Sequence, residues 1–472
     1  MNSNQPRVKW FYTIPVLMIV IGLVMFGIFS GIGLRKGPEK AKVGRRSGVV
    51  LPEVVMAGSP GRVQVSPLAR GFTPQSRLGF HEGDQWEPAI AADVNDHIYV
   101  LYPQYLGVPG CTECASPVMI LQTSADRGRH WDQPRVIYPE GATHDQVDAQ
   151  IAVDPLDGRT VYAAFMQNLK ADIVVGKSTD FGATWSFVIA NHTQAATDKP
   201  WLAVRGQDVY VAYNHAQKVW VSHSHDGGIT FASTTVNRNA KLGWSLASGG
   251  TVTPDGAVHF SWTGYERNGQ AKGPVNLYVS SSFDQGQSWM SRVVYTSGVP
   301  PDCSDFLCGW AYLSAQIALA SDSSGTLYAL WNASQTDRSP TRMFFARSED
   351  GATTWSSPVE VSTAPQGVNH TFPAIAAGEP GDVRIAWMDT RADPLWNTYL
   401  RRSLDGGLSW SPEADLSTYT PGFSYIFPEG FSFPFGDYFE IDIDNRGTTH
   451  AIWGEGLNYD SPGSIWYTQG NP

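Results

Sequence analysis

One eight-residue pattern, Ser-x-Asp-x-Gly-x-x-Trp, occurs six times in this 472-residue chain. The copies begin at Ser124, Ser178, Ser224, Ser282, Ser348 and Ser403; Phe231 replaces Trp in the third, and Ala352 replaces Gly in the fifth. Their starts are about 46 to 66 residues apart, which is close to the length of a four-stranded propeller blade. The repeat therefore predicts one large array rather than several unrelated domains.

The pattern has a structural explanation in each copy. An Asp two residues after a strand-ending Ser accepts hydrogen bonds from its own turn, and Gly supplies the positive φ that closes it. The Trp covers the turn, and β-rich runs flank each copy, as at 118–121 and 135–138. We therefore assign folding roles to the six acidic residues, which are Asp126, Asp180, Asp226, Asp284, Asp350 and Asp405.

This pattern resembles the Asp-box of the sialidase-like, or BNR-repeat, β-propellers. The resemblance covers about residues 76 to 470 and implies an all-β fold of four-stranded antiparallel blades. The resemblance is specific evidence for the fold but weak evidence for function, because the box also occurs in propellers that are not glycosidases.

Seven apolar runs that follow a polar residue mark the first strands of successive blades. They start near residues 88, 150, 200, 244, 316, 373 and 439. The last unit lacks a box and a fourth strand, so a strand from the N-terminal side, such as 61–65, is expected to complete it and to close the ring. We predict seven blades within 76–472, after a linker and closing strand within 35–75. Six blades is the alternative, if the weak fourth run or the terminal unit is not an independent blade.

The N-terminal region predicts a membrane anchor. Residues 10–34 are uncharged and long enough to cross a bilayer, after a short tail at 1–9. More Lys and Arg follow this segment than precede it, which by itself favours a cytoplasmic propeller. A first apolar segment commonly exports the part of the chain that comes after it, and the cysteine pattern favours an oxidising compartment. We therefore expect a single-pass protein with its propeller outside the cytoplasm.

Charged side chains collect at the openings of the first strands, on the face opposite the boxes. Carboxylates, a Lys and a Tyr that converge on one cleft could supply an acid, a base and a nucleophile. The candidate catalytic residues are Tyr438, Glu87, Asp148 and Asp198, and the candidate substrate-binding residues are Lys199, His370, Asp437 and Arg391. The alternative is that these are solvated loop residues and strand-end hydrogen bonders.

The resemblance to sialidases implies an Arg triad, a Tyr nucleophile assisted by Glu, and an Asp acid/base. Tyr438 stands where the nucleophile is expected. The Arg-Ile-Pro motif of the first blade is absent, and Trp86-Glu87-Pro88 takes its place. An acidic residue there would repel a sialic acid carboxylate, so true sialidase activity is not expected.

The four cysteines form two close pairs, Cys111 with Cys114 and Cys303 with Cys308. A shared zinc site is the alternative, but the two loops belong to blades that are not adjacent. We therefore predict two local disulfides, no metal and no cofactor. The net charge of -11 argues against a nucleic-acid partner.

Two classes of function remain open. One is a glycoside hydrolase-like activity on a neutral or cationic glycan, with Tyr438 and a carboxylate from Glu87, Asp148 or Asp198. The other is a cell-surface module that uses the same face to recognise a glycan or a protein without turnover. Carboxylates clustered across a pocket would favour the first class.

Overall fold

The computed structural model describes residues 71–238, 244–265, 274–301, 314–392, 395–417, 436–456 and 463–472. Within these ranges no helix combines the length and apolarity that a bilayer crossing requires. The predicted anchor at 10–34, the predicted strand at 61–65 and the predicted Cys303–Cys308 pair lie outside them.

The described residues form 29 strands and a short 3-10 helix at Pro139–Gly141. In chain order the strands are β1 (Ser76–Leu78), β2 (Asp84–Gln85), β3 (Ala89–Ala92), β4 (Ile98–Tyr105), β5 (Val118–Ser124), β6 (Arg135–Val136), β7 (Gln146–Val153), β8 (Val161–Gln167), β9 (Asp172–Ser178), β10 (Ser186–His192), β11 (Thr197–Arg205), β12 (Asp208–His215), β13 (Lys218–Ser224), β14 (Ala232–Thr235), β15 (Trp244–Val252), β16 (Val258–Tyr265), β17 (Val275–Ser282), β18 (Met290–Ser297), β19 (Ile317–Ser321), β20 (Leu327–Ser334), β21 (Thr341–Ser348), β22 (Val359–Glu360), β23 (His370–Ala377), β24 (Val383–Ala392), β25 (Leu395–Ser403), β26 (Ala414–Asp415), β27 (Glu440–Ile443), β28 (Thr449–Gly456) and β29 (Gly463–Gly470).

These strands form seven antiparallel sheets, which confirms the seven-bladed prediction over the six-bladed one. Blades 1 to 6 are β3–β6, β7–β10, β11–β14, β15–β18, β19–β22 and β23–β26, and β2 adds a short edge to β4 of blade 1. The first strand of each blade contacts the first strand of the next, and β27 contacts β3 to complete the ring. The first strands therefore surround the central axis and begin on the face that we call the mouth.

The N-terminal strand β1 completes the seventh blade. It pairs with β29 through Ser76, Arg77 and Leu78 and holds the fourth-strand position beside β29, β28 and β27. A single bridge from Phe72 to Gly470 extends this pairing. The closing strand thus lies at 76–78, in the range that we had assigned to the propeller. It fits there because Leu78 supplies one buried apolar side chain to the seam.

The second strand of every blade carries an aromatic residue at the same position. These residues are Tyr102, Phe165, Tyr213, Trp262, Trp331, Trp387 and Trp453, and each is at most 1% exposed. They belong to the apolar clusters that fill the space between neighbouring sheets. Burial of large rings between sheets contributes much of the stabilisation of such an array.

The six Asp-boxes connect the third and fourth strands and have nearly the same geometry. In the last copy the Ser403 hydroxyl donates to Asp405 at 2.8 Å, and the Gly407 amide donates to Ser403 Oγ at 2.8 Å. Asp405 also accepts from the amide and hydroxyl of Ser409 at 2.8 and 2.5 Å. These bonds lower the pKa of Asp405 to about 2. The predicted folding role of the boxes is therefore supported by their contacts.

Candidate functional site

A repeated backbone distortion places three of the candidate side chains at the mouth. Glu87, Asp148, Lys199 and Phe372 have φ values of 51°, 59°, 52° and 54°, in a region that non-glycine residues seldom occupy. Each precedes Pro or Ala at the opening of a first strand, and the strands of blades 2, 3 and 6 are bulged there. Such strain costs of the order of 1 kcal/mol or more per residue, so the surrounding contacts must hold it.

The centre of the mouth is an ion-pair cluster around Lys199. Its Nζ contacts Asp437 Oδ1 and lies 3.6 Å from Glu87 Oε1. The Asp437 amide donates to Glu87 Oε1 at 3.2 Å, and the Lys199 amide donates to Asp148 Oδ2 at 3.3 Å. The side chains of Lys199 and Glu87 are 10% and 4% exposed. Blades 1, 2, 3 and 7 thus meet in one buried network.

Burial dominates the proton affinities in this cluster. It raises the pKa of Glu87 well above its usual range, because Lys199 offsets only part of the cost of a buried charge. Burial alone would lower the pKa of Lys199, but Asp437, Glu87 and Asp148 raise it well above the ordinary lysine value. Lys199 is therefore a cation at neutral pH, and Glu87 tends to keep its proton.

Tyr438 lies beneath this cluster with its hydroxyl already bonded. The hydroxyl donates to the Ala149 carbonyl at 3.0 Å, and Lys199 Nζ lies 4.8 Å from the ring centroid. Burial raises the pKa of Tyr438 well above 10, which disfavours the phenolate that a nucleophile needs. Tyr438, Trp201 and Gln316 also line a cavity of about 30 Å³. This volume is far below the 300 Å³ or more of typical small-molecule sites.

Asp198 belongs to a second, more exposed pair beside the cluster. Lys170 Nζ donates to Asp198 Oδ1 at 2.8 Å, and the two side chains are 37% and 28% exposed. Lys170 ends a turn in which Asn168, Leu169 and Lys170 all have positive φ. The Asp145 carboxylate holds this turn by accepting from the Leu169 amide at 2.8 Å. The sequence interpretation did not include Lys170, although its position in a 2-to-3 hairpin places it on the mouth face.

The predicted site residues His370 and Arg391 lie in a separate network, in blade 6. His370 Nδ1 donates to the Thr341 carbonyl at 2.8 Å, and Nε2 lies 2.7 Å from Ser362 Oγ. Burial lowers the pKa of His370 to about 4, so the ring is neutral. Arg391 binds Asp389 at 2.6 Å and also pairs with Glu413. His370 stands two residues before the strained position that Phe372 occupies, and its side chain is fully buried.

Two carboxylates of β27, the first strand of blade 7, accept hydrogen bonds from backbone amides of β3 in blade 1. Glu440 Oε2 accepts from the Ile90 amide at 3.0 Å, and Asp442 Oδ2 accepts from the Ala92 amide at 2.7 Å. Gln150 Nε2 donates to Glu440 Oε1 at 2.7 Å. The sequence interpretation took these residues only as part of an apolar strand. An acidic pair at alternate positions in such a strand was the signal for them.

Glu440 is expected to make the protein less stable as the pH rises. Burial raises its pKa to about 8 from an ordinary value near 4.5. Between these values the folded state keeps a proton that the unfolded chain releases, so the free energy of unfolding falls as pH increases. Glu440 is only partly buried, so we expect an effect of about 1–3 kcal/mol.

The neutral variant Glu440→Gln isolates this effect. We expect its urea-unfolding free energy to depend less on pH between 5 and 8.5 than that of the wild type, and to exceed the wild-type value at the upper end. Asp405→Asn is the matched control, because it changes a carboxylate on the opposite face. If the unfolding free energies of Glu440→Gln and the wild type changed equally with pH, Glu440 would not be the source of the pH dependence.

The Cys111–Cys114 disulfide is present, with an isolated bridge from Val108 to Cys111 beside it. This confirms the predicted pairing of the first two cysteines. It lies in the mouth-side loop of blade 1. Among the described residues, no cluster of His, Cys, Asp and Glu has the arrangement of a metal site.

The fold and the boxes define the chain as a seven-bladed Asp-box propeller. Residues 73–303 match the family model described as a BNR repeat-like domain. This match confirms the resemblance to sialidase-like, BNR-repeat β-propellers that was found in the sequence. No curated protein matches the chain in a sequence comparison.

Solved structures share this fold at low sequence identity. An ulvan lyase of polysaccharide lyase family 25 is 11% identical with a TM-score of 0.51, over 83% of this chain and 95% of the lyase. A Hadza microbial sialidase, Hz136, is 12% identical with a TM-score of 0.43, over 82% of this chain and 66% of the sialidase. YCF48 bound to D1 peptide is 12% identical with a TM-score of 0.46, over 86% of this chain and all of YCF48. At these identities the likeness concerns the fold alone.

Proposed function

We propose that this chain is a recognition propeller that binds glycans at its mouth without turning them over. The observation that carries this proposal is that each candidate catalytic residue already bonds within the protein. Glu87 and Asp148 hold Lys199 or its backbone, Asp198 holds Lys170, and the Tyr438 hydroxyl is bonded to a carbonyl. Such groups shape and charge a surface, whereas a nucleophile and its base must be free to reach a substrate.

The charge of the mouth indicates which glycans it favours. Glu87 tends to keep its proton, so three carboxylates, those of Asp148, Asp198 and Asp437, face two lysines, Lys170 and Lys199. The excess of acidic groups disfavours sialylated or uronic acid glycans and favours neutral or amino sugars. Aromatic Trp201 beside the cavity offers an apolar surface on which a sugar ring can pack.

A glycan array with product analysis on residues 61–472 tests this proposal. We expect retention of neutral or amino-bearing glycans with no released product. Asp148→Asn should weaken retention of amino glycans, whereas Asp405→Asn, on the box face, should not. Preference for sialylated glycans would contradict the proposed ligand class, and binding to a cell-surface protein instead would favour the protein-recognition alternative.

Hydrolysis is a second candidate, because one observation favours it. Glu87 is a buried carboxyl with a raised pKa, as a general acid requires, and Asp148 interacts with it electrostatically. Released sugars in the same product analysis, abolished by Glu87→Gln, would establish this activity and displace the binding proposal.

We also propose that the propeller is anchored in the membrane and lies outside the cytoplasm. The uncharged segment 10–34 supports an anchor, and the Cys111–Cys114 disulfide supports an oxidising compartment. Protease treatment of intact cells should remove the propeller from the cell surface. Protection of the domain until the cells are lysed would contradict this placement.

A further inference from the structure

Lys199 and Asp437 stand in the mouth as a preassembled amine and carboxyl. Nζ contacts an oxygen of the Asp437 carboxyl, and the residues are 238 positions apart in the chain. Their side chains are 10% and 21% exposed. The Tyr438 ring lies under the amine, with its centroid 4.8 Å from Nζ. The neighbouring residues thus keep the Lys199 amine and the Asp437 carboxyl in contact and exclude most of the water around them.

A third group, the Glu87 carboxyl, touches both partners. Its Oε1 lies 3.6 Å from Lys199 Nζ and 3.2 Å from the Asp437 amide nitrogen. Besides burial, the Asp437 charge also acts on Glu87 directly and raises the pKa of its carboxyl. A buried carboxyl in contact with an amine and a second carboxyl is placed to move protons between them.

We propose that Lys199 and Asp437 become joined by an intramolecular amide bond from Nζ to Cγ, with Glu87 transferring the protons. This modification is independent of the proposed ligand binding. The amide carries no charge and replaces an ion pair of zero net charge, so the net charge of the mouth is unchanged.

The reaction balances without a co-reactant. The Lys199 ammonium first passes one proton to the Asp437 carboxylate, and the free amine then attacks Cγ while protonated Glu87 protonates the carboxyl oxygen. The new N–C bond leaves a proton on nitrogen, which returns to Glu87. Glu87 next protonates one hydroxyl, the C–O bond breaks and water leaves. The remaining hydroxyl proton returns to Glu87, so ammonium plus carboxylate gives amide plus water.

Two physical factors favour this step. Fixed positions give intramolecular reactions effective concentrations of about 10⁵–10⁸ M, far above those of free amines and acids. The burial that raises the pKa of Glu87 keeps its proton available, and an amide removes two charges that are costly to bury. Asp437 and Glu87 also raise the pKa of Lys199, so the reactive amine arises only by proton transfer within the pair.

The neighbouring pair of Lys170 and Asp198 is a matched control. It also pairs a lysine Nζ with an aspartate oxygen, at 2.8 Å, but is more exposed, at 37% and 28%. We therefore expect no amide there. The cross-link that we propose joins blade 3 to blade 7, which are not neighbours, and so fixes the width of the mouth.

Peptide mapping of the full chain by mass spectrometry, after denaturation and reduction, tests this inference. We expect a peptide that contains both Lys199 and Asp437 and is lighter than the sum of its parts by one water. Lys199→Arg keeps the charge and should lack this peptide. Glu87→Gln keeps both partners and should reduce the linked fraction at least tenfold, whereas Lys170→Met should leave it unchanged.

Each result decides part of the inference. Separate, unmodified Lys199 and Asp437 peptides in wild-type protein would overturn it, whether or not any variant folds. A linked fraction in Glu87→Gln equal to that of the wild type would overturn the role of Glu87. Because the readout is covalent mass, neither result depends on ligand binding, and a failed glycan array leaves this test intact.

Discussion

Replacing Leu78 by alanine is expected to lower the free energy of unfolding by about 2–5 kcal/mol, the usual range for a buried leucine. Leu78 is 5% exposed and packs in the cluster that joins blade 7 to blade 1, with Tyr102, Ile465 and Tyr467. It belongs to the strand that closes the ring. A cavity there weakens the seam at which the two ends of the array meet.

Ser76→Ala is the control, since this exposed residue lies in the same strand and its hydroxyl makes a contact of only 3.5 Å with the Tyr467 carbonyl. We expect it to change the unfolding free energy by at most about 0.5 kcal/mol. Urea denaturation followed by tryptophan fluorescence measures both variants. Equal, small effects of the two substitutions would show that the short strand β1 does not carry the closure.

The sequence predicted the fold best at the Asp-boxes, where the same side chains and the same backbone turn repeat together. The six boxes located every third-to-fourth connection of blades 1 to 6. The aromatic position from Tyr102 to Trp453 repeats seven times and would have given the blade number without the boxes. The packing of sheet on sheet demands a large residue at this position, so the pattern follows from the fold itself.

The mouth was only partly predictable, because side-chain direction there depends on the bulge. Glu87, Asp148 and Lys199 share the strained position and converge. Asp198 is one residue earlier and turns to Lys170 instead, while His370 is two residues earlier than Phe372 and is buried in its own blade. A sequence shows which residues open a strand, but the backbone φ of each opening decides which ones meet.

Glu440 was missed for a different reason. Besides the Gln150 side chain of blade 2, its partner is the Ile90 backbone amide in the first strand of blade 1. The ring brings the last blade against the first and so places the Glu440 carboxyl beside that donor. A pairing that is created by ring closure leaves no local trace in the sequence beyond an acidic residue in an apolar strand.

Replacing Lys199 by methionine is expected to lower the free energy of unfolding by about 3–5 kcal/mol, because Glu87 and Asp437 would lose their buried partner. Lys170→Met, at the more exposed pair, should cost at most about 1 kcal/mol. Urea denaturation compares the two variants. Similar small losses for both would show that the cluster around Lys199 is solvated rather than buried.

The triple variant Lys199→Met, Glu87→Gln, Asp437→Asn separates an ion pair from a cross-link. Removing both carboxylates eliminates the uncompensated charge, and replacing a buried ion pair by neutral groups is often close to neutral for stability. If Lys199 and Asp437 form only an ion pair, the triple variant should regain most of the lost stability. A covalent bond would also stabilise the folded state by lowering the entropy of the unfolded chain, because it closes a loop of about 240 residues. Neutral side chains at the three positions cannot restore that contribution. Incomplete rescue is therefore the expected result if the amide forms, and full rescue would contradict it.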